Sequence, residues 1–170
     1  ETCAKDVQYS RALNVVSIKK ILDQLGNWKI KPIFTSSEFV FDGKKGKYHE
    51  ADQATPILLY GQQKLEIEQY IQEYFEQYVI LRLAKVYGDK LGDGTLFTGW
   101  LELIEPGKVV KCASDQTFSP IFVNDVIRVL LRFTSIYNDG LFHLSGPRAF
   151  TRIALLEMLL VEMEKYGIPK

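Results

Sequence analysis

The sequence predicts an α/β fold built around a parallel sheet. Segments with helical periodicity alternate with short apolar runs almost throughout the chain, which is the pattern of such folds. The run Tyr78-Val79-Ile80-Leu81-Arg82-Leu83 directly follows a helical segment and is nearly continuous in apolar residues, as a strand covered on both faces must be. The chain has 170 residues, 46% hydrophobic and 25% charged, which suits one soluble globular body with a real core.

Taken in order, Asn14 to Leu25 reads as a helix. Val15, Ile18, Ile21, Leu22 and Leu25 recur at three- and four-residue spacing, and Gly26 stands where a C-cap would fall. Pro32 to Ser36 reads as a strand that resumes at Phe39-Val40-Phe41 after a polar interruption. Asp42-Gly43 and Lys44 to Lys47 form a solvated loop. Leu59 to Gln77 is expected as a second helix, with Leu65, Ile67, Tyr70, Ile71 and Tyr74 among its apolar positions. Further on, helices are expected at Thr95 to Leu103, Val123 to Ile136 and Thr151 to Tyr166, and strands at Val109 to Lys111 and Leu141 to Leu144. No repeat or low-complexity segment interrupts this order.

Charge and composition narrow the function. Lys plus Arg and Asp plus Glu are both 21, giving zero formal charge and arguing against nucleic-acid binding, which needs a basic surface. Lys19-Lys20 and Lys44-Lys45 are too short to make a basic patch. Two cysteines, Cys3 and Cys112, and two histidines, His49 and His143, do not supply a metal site, and they fit a reducing, cytoplasmic setting. The longest apolar stretch, Ile153 to Met163, is broken by Glu157 and Glu162, so no bilayer span is expected, and the N-terminus does not read as a signal peptide.

Chemistry concentrates on the second helix. Tyr60 and Lys64 are separated by about one helical turn, so both side chains emerge on one face. A phenol ionises near pH ~10, and a neighbouring ammonium favours the phenolate, which makes tyrosine a usable acid or base. The spacing alone does not distinguish this from a solvated helix face, since Tyr166 and Lys170 share it by coincidence at the chain end.

Context decides between the two. Thr35-Ser36-Ser37-Glu38-Phe39-Val40-Phe41-Asp42-Gly43 precedes the pair, followed by Tyr48-His49-Glu50-Ala51-Asp52 and Pro56-Ile57-Leu58-Leu59-Tyr60-Gly61. Downstream come Leu81-Arg82-Leu83, Val86-Tyr87-Gly88, Asp115-Gln116, Ser119-Pro120 and Phe142-His143-Leu144-Ser145-Gly146, with Asn14 upstream. This ordered string resembles extended short-chain dehydrogenases/reductases, and among them the dTDP-4-dehydrorhamnose reductase branch. The resemblance implies the C-terminal part of a Rossmann-type parallel sheet with a small substrate-binding lobe. Residues 1–90 would carry the catalytic residues and 91–170 mainly the lobe, with 121–145 returning to the sheet.

The resemblance also implies roles. Ser37 would bind the sugar ketone oxygen, Tyr60 would donate the proton, and Lys64 would lower the Tyr60 pKa and hold the nicotinamide ribose. Tyr60, Lys64 and Leu83 would contact the cofactor, NADPH or NADH. Glu38, Phe39, Thr95, Phe97 and Gln116 would line the nucleotide-sugar site, and a homodimer paired through the Tyr60 helix would follow from relatives. Taken alone, Ser37 better suits a strand end that caps a turn, and His143 reads as a strand residue with a satisfied ring and no catalytic role.

Departures from the branch are informative. Glu38 and Phe39 stand where that branch has Asp and Tyr, and Phe118-Ser119 replaces a pair of small residues. An acid directly after the catalytic Ser/Thr is usual in dehydratases of the superfamily, so that chemistry stays open. A non-catalytic regulatory protein of the same fold, like the methionine adenosyltransferase regulatory subunit, is a further alternative. The glycine-rich dinucleotide turn of the family has no counterpart here. Gly92-Asp93-Gly94-Thr95 begins similarly without the third glycine, and on the order of 70 N-terminal residues are expected to be missing relative to the family.

Overall fold

The computed structural model describes residues 2–136 and 138–168. It divides into two compact units, residues 1–83 with 130–144, and residues 84–129 with 145–170. Among the described residues no helix is long and apolar enough to cross a membrane.

The first unit is a helix-covered parallel sheet. Its chain opens with α1 (Thr2–Lys5) and α2 (Val7–Arg11), passes through one π-helical turn (Ala12–Val16) and continues as α3 (Ser17–Asn27). Then come β1 (Ile33–Ser37), a 3-10 turn (Glu38–Val40), α4 (Leu59–Tyr74) and β2 (Val79–Leu83). The unit is completed by the end of α6 (Val123–Ser135) and by β6 (Gly140–Leu144).

Strand order is β1-β2-β6, all parallel. One register row is Ser36, Arg82 and His143, and the next is Ser37, Leu83 and Leu144. Val79, Ile80 and Leu81 are all essentially inaccessible, so the continuous apolar run of β2 reflects cover on both faces. Val15, Leu22, Ile67, Ile71 and Ile80 form one core cluster, to which Ile18, Leu25 and Phe34 add. Helical spacing thus turns one stripe of α3 and one stripe of α4 onto the same sheet face.

Several boundaries differ from the expected ones. Helical structure begins well before Asn14, because Asp6 caps α2 by accepting a hydrogen bond from the Tyr9 amide at 2.9 Å. Gly26 lies inside α3; the left-handed residue after the helix is Lys29, at φ 54°. The expected strand at Phe39-Val40-Phe41 is instead the 3-10 turn, closed by the Phe41 amide donating to the Glu38 carbonyl at 3.1 Å. α4 stops at Tyr74, short of Gln77.

The second unit holds β3 (Val86–Tyr87), α5 (Leu96–Ile104), β4 (Thr117–Phe118), β5 (Ile121–Phe122), the start of α6, β7 (Phe150–Thr151) and α7 (Arg152–Lys165). β3 pairs in parallel with β5, and β4 pairs antiparallel with β7. Leu96, Trp100 and Ile104 of α5 share one stripe and pack with Leu155 and Met163 of α7. No strand forms at Val109 to Lys111; Val109 is 85% exposed and has no partner strand to bury it.

Candidate active site

β1 ends and α4 begins at one place, because glycine lets them touch. An ideal Cβ on Gly61 would lie 1.9 Å from the Phe39 carbonyl oxygen, so only a residue without one permits the contact. That approach brings the turn after Ser37 against Tyr60, and the Phe39 and Tyr60 rings meet edge-on at 6.2 Å. Ser37 is buried, and its Oγ accepts a hydrogen bond from the Phe39 amide at 3.3 Å. It therefore caps the 3-10 turn while standing at the C-terminal end of its strand. Ligands of open parallel sheets bind beyond such strand ends.

Lys64 reaches back from α4 to β1. Its Nζ donates to the Thr35 carbonyl at 2.9 Å and lies 4.7 Å from the Phe34 ring centroid and 5.7 Å from that of Tyr60. An ammonium has three donors, and this bond uses one of them. Burial pushes the Tyr60 phenol above its ordinary value, and a smaller contribution in the same direction comes from Cys3. Burial lowers Lys64, with Glu68 opposing. The expected depression of Tyr60 by Lys64 is not what this geometry gives. The ammonium sits over the ring face, and desolvation of the phenolate dominates.

A polar group lies beside the pair. Asn14, on the π turn, donates to Gln63 Oε1 at 2.8 Å, and Ser10 donates to the same oxygen at 2.9 Å. The π turn adds a residue to the helix, a feature frequent at functional sites. Gln63 is buried, and its Nε2 has no partner among the described residues. Leu83, at the end of β2, is opposite Ser37 in register. Glu38 and Phe39 follow Ser37 directly, and Phe39 is exposed.

The remaining candidates belong to the second unit. A cavity of about 290 Å³ has Tyr87, Phe97, Phe150, Leu155 and Met158 in its walls, with Arg148 as its charged member. Tyr87 and Phe97 are perpendicular at 5.1 Å. Thr95 and Gln116 do not line this cavity. Thr95 Oγ1 accepts from the Gly88 amide at 3.1 Å, and Gln116 Oε1 accepts from Arg152 Nη1 at 2.9 Å. Tyr87 stands in the quoted motif Val86-Tyr87-Gly88 without an assigned role, and Arg148 lies two residues beyond the motif that ends at Gly146, outside any sequence signal.

The Gly92-Asp93-Gly94-Thr95 loop serves its own helix. Asp93 accepts from the Thr95 amide at 2.8 Å and from the Thr98 hydroxyl, which holds its carboxyl down at about 2. The carboxylate thus ties the loop to the N-cap residue and first turn of α5. Among the described residues no group of three His, Cys, Asp or Glu side chains could hold a metal. Of the second Tyr-Lys pair, Lys170 lies outside the described residues.

A parallel sheet with serine at a strand end and Tyr-x-x-x-Lys on the adjoining helix defines the extended short-chain dehydrogenase/reductase class. Within it, the chain belongs to the RmlD substrate binding domain family, which matches residues 1–167. It is 29% identical over 170 residues to dTDP-4-dehydrorhamnose reductase of Escherichia coli, covering 95% of this chain and 54% of that protein. Methionine adenosyltransferase 2 subunit beta of Xenopus tropicalis is 27% identical over 169 residues, covering 95% and 50%. The fold matches dTDP-4-dehydrorhamnose reductase from Bacillus anthracis, solved in complex with NADP, at a TM-score of 0.87 and 20% identity over 95% of this chain and 57% of that one. The chain spans about half the length of the curated relatives it matches.

Proposed function

We propose that this chain carries the catalytic residues and the substrate lobe of an NAD(P)H-dependent reductase acting on a nucleotide-linked keto sugar. One observation carries the reading: Tyr60 and Lys64 share a helix face that Gly61 brings against the strand end bearing Ser37. Reduction of a ketone adds hydride at carbon and a proton at oxygen. A bound nicotinamide supplies the hydride; the protein must supply the proton.

Tyr60 can supply that proton, because a phenol is protonated through neutral pH; burial makes the free phenol a weaker acid, so transfer waits on the strongly basic alkoxide that forms as hydride arrives. Ser37 Oγ can donate to the ketone oxygen while accepting from the Phe39 amide, which orients it toward the developing alkoxide. Lys64 would hold the nicotinamide ribose with the two donors that Thr35 leaves free. No residue described here reads the ribose 2′ position, so either NADPH or NADH serves the proposal. The aromatic cavity of the second unit, with Arg148, suits the base and phosphates of a nucleotide sugar.

The test uses the complete protein, with NADPH or NADH and a dTDP-4-keto sugar, following loss of the reduced nicotinamide. Tyr60→Phe should lower kcat by about 10²-fold or more. Equal turnover by the variant would sink the reading. The similarity to the regulatory subunit favours a second reading, in which the fold binds ligand without turning it over. Saturable nicotinamide binding with no turnover of any keto sugar would select that one. Glu38 beside Ser37 leaves room for dehydratase or epimerase chemistry, which would appear as product without net nicotinamide consumption.

A further inference from the structure

Tyr60, Lys64 and Glu68 follow one another at four-residue steps on α4, so all three project from the same face. Glu68 is wholly inaccessible. A buried carboxylate persists only when its charge and lone pairs are answered, and here two strands answer them. Ser36 of β1 donates to Glu68 Oε1. Arg82 of β2, 6% exposed, donates to Glu68 through Nη2 at 2.7 Å and through Nε at 3.1 Å.

Ser36 and Arg82 are register partners, and the next partner in the row is His143, whose Nε2 lies 3.5 Å from Arg82 Nη1. The row then reaches the loop after β1. His143 Nδ1 lies 3.2 Å from the Tyr48 carbonyl, and the His143 amide donates to Glu50 at 2.8 Å. Arg82 also stacks over the Phe41 ring at 5.0 Å.

Two successive grips result. Lys64 holds Thr35, and one turn further along α4 Glu68 holds Ser36, the residue immediately before Ser37. We infer that Glu68 is a positioning residue: through Ser36, and locked by Arg82, it fixes the end of β1 against α4 and so sets where Ser37 stands relative to Tyr60 and Lys64. Glu68 touches no substrate in this role. Its charge also offsets part of the effect of burial on Lys64. The kinetic arm of the test rests on the reductase reading; the structural arm does not.

Ser36→Ala is the informative variant, because it opens the upper grip and leaves the buried Glu68–Arg82 pair intact. In the complete protein it should lower kcat by about tenfold, since small misplacements of reacting groups are costly. KM for the nicotinamide should stay within about twofold, because uniform binding is untouched. Ser36→Thr, which restores the hydroxyl, should recover most of the rate. Amide hydrogen exchange at residues 35–39 should quicken in Ser36→Ala by more than at residues 79–83, where any general loss of stability from the missing Glu68 donor would show equally.

An unchanged kcat in Ser36→Ala overturns the inference, as does a loss of rate that Ser36→Thr does not recover. Absence of turnover in the wild-type protein refutes the reductase reading instead. Exchange at residues 35–39 then decides the positioning role alone: exchange quickened beyond that at residues 79–83 supports it, and exchange unchanged or quickened equally overturns it.

Discussion

Gly61 offers the most direct test of how the site is assembled. An alanine Cβ there would lie 1.9 Å from the Phe39 oxygen, 2.8 Å from the Phe39 carbonyl carbon and 3.0 Å from Pro56 Cβ. A tolerable carbon–oxygen contact is about 3.3 Å, so α4 and the 3-10 turn must separate by roughly 1.4 Å. The atoms in conflict are backbone, and no side-chain rotation relieves them. Tyr60 precedes Gly61 on the helix, and the turn that must move is capped by Ser37, so the displacement falls on the groups proposed to be catalytic. Overpacking of this kind costs about 1–3 kcal/mol, and a shift near 1 Å reduces turnover by about 10²-fold.

Gly61→Ala should therefore lose stability in urea unfolding and lose activity beyond what the stability loss explains. Gly99→Ala is the control. It lies inside α5, its Cβ would meet nothing within 4 Å, and alanine there should be neutral or stabilising by up to about 1 kcal/mol. If Gly61→Ala unfolds and turns over like Gly99→Ala, the close approach does not set the site.

Three other outcomes follow from the same geometry. Arg82→Met leaves Glu68 buried without its cation and should cost about 3–5 kcal/mol in denaturant unfolding; a loss below about 1 kcal/mol would contradict the pairing. Asp93 is held at about 2, so it contributes stability that is present above the usual aspartate range and disappears as pH falls through about 2. Removing its main partner with Thr98→Val should move the acid-unfolding midpoint to higher pH, and an unmoved midpoint would show that the loop does not report on that carboxylate. Tyr60 should titrate above pH ~10 in the cofactor-free protein, measured as the phenolate absorbance missing from Tyr60→Phe; a midpoint below that value would show that Lys64 outweighs burial.

The motif around Tyr60 and the β2 run were legible because each rests on a single local pattern. Four-residue spacing fixes a shared helix face, and a continuous apolar run fixes a strand covered on both sides. The turn at 38–40 was not legible, because Phe39-Val40-Phe41 reads as a strand to any local rule. What bends it is the Ser37 cap and the approach of Gly61 from twenty residues away. Val109 to Lys111 has strand composition but no partner, and pairing is a property of the fold. The two-residue strands β3, β4, β5 and β7 are too short to leave a periodicity.

Site residues divide in the same way. Ser37, Tyr60 and Lys64 are proposed from an ordered string of motifs, whereas Glu68 extends the Tyr60-Lys64 spacing by one more step and no sequence pattern singles it out. Its importance depends on Arg82, which is remote in sequence and adjacent only across the sheet. Thr95 and Gln116 have partners that no local pattern predicts: their polar side chains bond internally to Gly88 and Arg152.

The π turn at Ala12–Val16 amounts to one surplus residue in an otherwise regular helix. Deleting the exposed Leu13 would let the helix relax to regular winding without removing a core side chain. Everything before the deletion would then rotate by about 100° about the helix axis. Ser10 would swing away from Gln63, while Val15 and Leu22, beyond the deletion, would keep their places. The surplus residue is thus a phase adjustment: it lets one continuous helix show an apolar stripe to the core at one end and a polar stripe to α4 at the other.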